Sequence, residues 1–278
     1  MRPQKRPLIY PERQENPMLH ATPLITAMLT GFAVLIGLVM GSFLNCLALR
    51  LTTGETIMGR SHCFSCAHEL SGADLVPLFS YIFLGGKCRY CHAKIPLRYP
   101  LTEACCALIY VALLFHFDFS LELLKFTLLF SVLFCASLAD LQEYIIPDPL
   151  VIAGIVCRIP FIFLSPAPGK EALNALLGGF SVALPLLLIV LISEKVMKKE
   201  AMGGGDIKLF FMIGLYFNWK VNLFLLLCSC LIGILFAAVF GKGKGKMIPF
   251  GPSIACAALV AALCGEKVIA AYLGLFAR

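Results

Sequence analysis

Eight apolar blocks punctuate the chain, at roughly residues 24–49, 101–117, 121–139, 149–165, 172–193, 207–218, 221–240 and 250–276. A helix needs about 20 apolar residues to cross a hydrocarbon core. The pattern therefore predicts an all-α polytopic membrane protein with about eight transmembrane helices. The second and sixth blocks are short, and Gly265-Glu266-Lys267 interrupts the last, which predicts a kink or a frayed end there. No internal repeat stands out. Only residues 51–100 leave room for an extramembrane domain, which divides the chain into a tail (1–23), a first span (24–50), that domain, and a polytopic region (101–278).

The tail before the first block is basic and proline-rich (Arg2, Lys5, Arg6, Arg13; Pro3, Pro7, Pro11, Pro17). A signal peptide has this charge order, but its apolar region is about 7 to 15 residues and ends at a small-residue cleavage site. This block is longer and lacks such a site, so it reads as a retained span.

Composition agrees with a membrane location. The chain is 60% hydrophobic and 14% charged, with a mean hydropathy of +0.89, against about 25% charged residues in soluble domains. Lys and Arg mark the cytoplasmic loops of membrane proteins. They gather in residues 50–100 (Arg50, Arg60, Lys87, Arg89, Lys94, Arg98), in 194–208 (Lys195, Lys198, Lys199, Lys208) and in the run Lys242, Lys244, Lys246. With eight spans all three loops fall on one side, expected to be the cytoplasm. The net charge of +7 then mostly reflects topology. No basic patch is interleaved with aromatics, which argues against a nucleic-acid partner.

Two constellations carry candidate chemistry. Cys63 and Cys66 form one C-x-x-C and Cys88 and Cys91 a second; two such pairs complete a tetrahedral four-sulfur zinc site, structural because it leaves no open position. Unligated thiols are the alternative. His62, His68 and His92 stand beside the pairs as substitute ligands, although four cysteines suffice. The other nine cysteines lie in apolar runs, where Cys behaves as a small hydrophobe.

The second constellation is acidic. Ionisable groups in spans are functional candidates, and the map puts Asp140 at the end of the third span and Asp206 at the start of the sixth, on the same face. Gly203, Gly204 and Gly205 precede Asp206 and leave room for an extended substrate backbone. Two close carboxylates share a proton, so one accepts from water while the other donates to a scissile carbonyl. A proton or ion relay of a transporter is the competing reading of the same pair. Asp148 precedes Pro149 and is expected to cap a helix, Glu143 to be solvated, and Lys208 to bind lipid phosphate or orient the site. The Lys/Gly run at 241–246 lacks the order of a phosphate loop.

These motifs together resemble the type IV prepilin peptidases, in their bifunctional leader peptidase/N-methyltransferase form. The similarity runs from about residue 38 to 255 and rests on GSFLNCLALRL (41–51), CFSC with CRYC and IPLRYPLTE (63–103), ADLQEYIIPD (139–148), GGGDIK (203–208) and IPFGPSIA (248–255). Phe64, and Arg50-Leu51-Thr52, depart from the family's usual prolines. The resemblance implies a membrane aspartic endopeptidase of the bacterial cytoplasmic (inner) membrane, active at its cytoplasmic face. Its substrates would be type IV prepilins or pseudopilins, cut after a glycine. It implies Asp140 and Asp206 as the catalytic pair, with Asp148 outside it. It further implies N-methylation of the new terminal amine with S-adenosylmethionine, associated with the cysteine domain. A peptidase with a purely structural zinc domain is the alternative. Glu103, in RYPLTE, is a candidate for binding the substrate amine.

Overall fold

A computed structural model describes Leu19 and residues 22–197, 203–240 and 248–276. The basic tail, Lys198, Lys199 and the Lys/Gly run at 241–246 lie outside the described residues. Helix α1 (Pro23–Thr53) starts where the Thr22 hydroxyl accepts the Ile25 N–H, and stops at Gly54, whose φ of 74° suits glycine. Its 31 residues span about 46 Å at 1.5 Å per residue. That exceeds the hydrocarbon thickness of about 30 Å, so its last turns project beyond the bilayer as a stalk. A lobe with one short helix, α2 (Phe79–Phe83), follows.

The chain re-enters the membrane through α3 (Arg98–Phe117), which lies against α1. Gly37 and Gly41 make this contact possible. A Cβ on Gly41 would stand 2.8 Å from the Glu103 Cα, and one on Gly37 2.5 Å from the Ala107 Cα. This is the small-x-x-x-small packing of membrane helices, with backbones touching.

Helix α4 (Leu121–Glu143) begins at the Ser120 cap, ends at Tyr144, and is the central helix, with twelve buried residues. The others are α5 (Asp148–Phe163), α6 (Pro168–Met197), α7 (Gly204–Gly214), α8 (Trp219–Phe240), α9 (Gly251–Val260) and α10 (Glu266–Phe276). A wide π turn at Ala261–Gly265 joins the last two. It is the form taken by the interruption expected near Gly265, and the two helices form one continuous apolar span. Every apolar block is helical, and no strand occurs among the described residues.

The eight expected blocks divide by length. Six helical segments are long and apolar enough to cross a membrane: α1, α3, α4, α6, α8 and α9–α10. Helix α5 has 16 residues and α7 only 11, so α7 reaches about 16 Å, half of the hydrocarbon core.

A helix that stops inside lipid leaves carbonyls without partners, which costs several kcal/mol per group. Buried side chains resolve this for α7. Arg158 Nε donates to the Leu215 carbonyl at 2.9 Å, and Asn222 Nδ2 donates to the carbonyls of Gly178 (2.8 Å) and Gly214 (3.3 Å). Arg158 also puts a positive charge at the negative end of the α7 dipole and is ion-paired with Glu171. Gly178 of α6 allows the close approach, because any Cβ there would collide with the carbonyls of Gly214 and Phe217.

Candidate active sites at one end of the bundle

Alternating helix direction brings the end of α4 and the starts of α5, α7 and α9 to the lobe side of the bundle. Asp140 sits one turn before the end of α4 and is buried. Its Oδ2 accepts the Gly251 N–H at 2.7 Å, from the first residue of α9. Gly251 has to lack a side chain, because a Cβ would lie 2.9 Å from that same oxygen. Asp206, half-buried in the first turn of α7, lies within electrostatic reach of Asp140. The structure thus sets the two carboxylate-bearing helix ends on the same end of the bundle, 66 positions apart in sequence.

The three glycines before Asp206 differ in their surroundings. A Cβ on Gly203 would stand 3.5 Å from Asp206 Oδ2, one on Gly204 would meet nothing within 4 Å, and one on Gly205 would press on Ile146 at 3.2 Å. Gly205 therefore seats α7 against the 144–147 connection, Gly203 lies beside the Asp206 carboxylate, and Gly204 faces open space. Asp148 departs from its expected cap role. Pro147 holds the cap position without any side-chain capping bond, and Asp148 instead accepts from Lys208 Nζ at 2.7 Å. Both partners are exposed, so the pair contributes at most about 1 kcal/mol. It ties the start of α5 to that of α7. Glu143 is the exposed last residue of α4.

The lobe is organised around Cys63, Cys66, Cys88 and Cys91, whose sulfurs all lie within 4.8 Å of one another. The Cys63 and Cys91 sulfurs are 3.8 Å apart. Thiolates at about 2.3 Å from one tetrahedral ion have edges of about 3.8 Å, so the set fits a metal ion. The two pairs are the same turn made twice. The Cys63 N–H donates to the His68 carbonyl and the Ala67 N–H to that of Cys63; Cys88 with Ala93, and His92 with Cys88, repeat the arrangement. Ala67 and His92 share the left-handed φ this turn requires. This local repeat escaped the sequence reading because CFSCAHE and CRYCHAK share little besides the cysteines.

Backbone N–H groups of Cys66 and Ser65 hold the Cys63 thiol down, at about 6. Of the neighbouring histidines, His68 packs on Tyr90 with ring centroids 3.7 Å apart and His62 meets the Phe64 ring edge-on. Asp74 braces the lobe. The Ser71 hydroxyl, and Arg89 Nε at 2.6 Å, hold its carboxyl at about 2.

Glu103, in the second turn of α3, is buried and accepts the Leu78 N–H at 2.8 Å. It stands at the junction of lobe and bundle, apart from the Asp140–Asp206 pair. Sequence reasoning passed over Gly251, Arg158 and Asn222. Polar residues inside apolar runs signalled the last two.

The fold and its sites define a multi-pass membrane protein with a cysteine-rich lobe and a carboxylate pair on one end. Residues 35–117 match the bacterial peptidase A24 N-terminal domain, and residues 127–238 match the type IV leader peptidase family. The prepilin leader peptidase/N-methyltransferase of Pseudomonas aeruginosa is 31% identical over 86% of this chain and 92% of its own length. The proteins of that name from Stutzerimonas stutzeri (31% identical; 88% of this chain and 94% of the relative) and Bacillus subtilis (32% identical; 85% and 95%) are similarly close. No solved structure matches the chain. The chain belongs to the type IV leader peptidase family.

Proposed function

We propose that this protein removes the leader peptide from type IV prepilins or pseudopilins and then N-methylates the new terminal residue, with S-adenosylmethionine as methyl donor. Family membership together with the Asp140–Asp206 juxtaposition beside Gly203 carries the reading. Two neighbouring carboxylates sharing one proton divide acid and base work between them. Asp140, which accepts the Gly251 N–H, acts as base and takes a proton from water as the water oxygen attacks the scissile carbonyl. Asp206 donates its proton to the carbonyl oxygen. As the tetrahedral centre collapses, Asp140 passes the water-derived proton to the leaving nitrogen, the C–N bond breaks, and Asp206 recovers a proton from a hydroxyl of the gem-diol to leave a carboxylic acid product. The relatives' names do not favour a transporter relay.

The four cysteines hold zinc in a closed, structural site, so the metal takes no part in either reaction. The lobe and both sites face the cytoplasm of the bacterial inner membrane, as the Lys and Arg content of residues 50–100 supports. A Cys63→Ser, Cys66→Ser protein is expected to lose about one zinc per chain, measured by mass spectrometry of the metal, and its lobe to become protease-sensitive. Full metal content would overturn the assignment.

The function is tested with purified protein in detergent and a full-length prepilin, with and without S-adenosylmethionine. Mass analysis should show leader loss in both reactions and one added methyl only with the donor. An uncut substrate would refute the peptidase, and a cut but never methylated one the transferase.

A further inference from the structure

A cavity of about 400 Å³ lies where the stalk of α1, the start of α3 and the cysteine lobe meet. This is within the usual size of small-molecule sites, about 300–1,000 Å³. Its walls include Asn45 and Arg50 from α1, Tyr99 and Glu103 from α3, and Ser61 and Tyr81 from the lobe, so neither part forms it alone.

Two of these residues are buried ionisable groups. Arg50 and Glu103 are each only 8% exposed, and no ion pair among the described residues includes either. Arg50 Nη1 donates to the Ile57 carbonyl at 2.7 Å, and Glu103 accepts the Leu78 N–H and a hydrogen bond from the Ser42 side chain. Burying a charge without a counter-charge is costly, and here a guanidinium and a carboxyl group line one cavity with no ion pair between them.

The Glu103 carboxylate is also held in place. Gly41 lies against its backbone, and Leu78, which supplies the N–H, adopts a φ of 58°, costly for a branched side chain. Asn45 donates to Thr102 Oγ1 at 2.9 Å and fixes the α1–α3 spacing one residue away.

We infer that this cavity is the methyl-transfer chamber, in which Arg50 pairs with the carboxylate of S-adenosylmethionine and Glu103 receives the terminal ammonium of the newly cut pilin. The inference rests on the transferase half of the proposed function. A terminal amine ordinarily titrates near 8, so it arrives as an ammonium and has no lone pair until it loses a proton. Glu103 takes that proton. The nitrogen then attacks the methyl carbon, the carbon–sulfur bond breaks, and its electron pair stays on sulfur as a neutral thioether. The product is a methylammonium, and Glu103 releases its proton to solvent. The cavity's place at the membrane edge suits a substrate whose N-terminus continues directly into an apolar helix.

The test uses the full-length protein in detergent, with isothermal titration of S-adenosylmethionine alone and methylation of a pre-cleaved pilin measured separately. Arg50→Met is expected to weaken donor binding at least tenfold. Glu103→Gln should bind donor within about threefold of the parent yet methylate at least 100-fold more slowly. Prepilin cleavage by the same preparations serves as the fold control. Should Arg50→Met lose the lobe's metal, Ser61→Trp fills the cavity from the lobe side and is expected to abolish donor binding. If the parent methylates and Glu103→Gln does so at the same rate, or Ser61→Trp binds donor normally, the chamber assignment is overturned. If the parent neither binds donor nor methylates, the transferase reading itself fails.

Discussion

Asp140→Asn and Asp206→Asn will each lower prepilin cleavage by about 10⁴-fold, because each deletes half of a proton-sharing unit whose members act together. The substitution keeps the side chain's shape. In Asp140→Asn the amide oxygen still accepts the Gly251 N–H that Oδ2 accepts at 2.7 Å, so the α4–α9 contact survives. Asp206 is half-buried in a first helical turn, where Asn is tolerated. The loss should therefore appear in kcat while the unfolding temperature moves by no more than a few degrees. Full activity in either variant would remove that residue from the dyad.

Arg158→Met will produce the largest loss of stability away from the reacting groups. Arg158 is 3% exposed, is ion-paired with Glu171, donates to the Leu215 carbonyl and lies 5.7 Å from the Tyr216 ring centroid. Removing it leaves the buried Leu215 carbonyl unpaired and takes the partner from Glu171, whose side chain is 28% exposed, a change worth about 2–4 kcal/mol. The consequence reaches function through α7, whose far end carries Asp206. An 11-residue helix released from its anchor cannot keep that carboxylate in register. Cleavage and thermal stability should fall together, and the milder Asn222→Leu should follow the same trend, costing about 1–3 kcal/mol for the unsatisfied carbonyls. An unfolding temperature within a degree of the parent's in Arg158→Met would show that α7 is held by apolar packing alone.

Much of this architecture is visible in the chain because membrane physics writes it in long apolar blocks. All eight blocks are helical, and the paired cysteines announced the lobe by spacing alone. Charged residues in apolar surroundings pointed to Asp140 and Asp206, while their convergence required the alternation of helix direction. What anchors the end of α7 was not legible. Its end is made by Gly178, Arg158 and Asn222 from other elements, and a hydropathy window over 207–218 cannot register partners supplied from elsewhere. Gly251 was hidden for a similar reason: it acts through a backbone N–H and through the side chain it lacks. The close α1–α3 contact through Gly37 and Gly41 was not singled out in advance, because small residues inside an apolar run leave no mark in hydropathy. Asp148 shows the reverse error. The Asp-Pro order favoured a helix cap, and the outcome turned on Lys208, 60 positions away.

The account holds that one chain carries two separate sites on the same end of its bundle, a carboxylate pair for cleavage and a lobe-side chamber for methyl transfer. The most direct test supplies already matured, unmethylated pilin and S-adenosylmethionine to the Asp140→Asn, Asp206→Asn double variant. Methylation at the parent's rate by a protein unable to cut prepilin is the expected result. Loss of methylation together with cleavage, in a protein that keeps its fold and its metal, would contradict it.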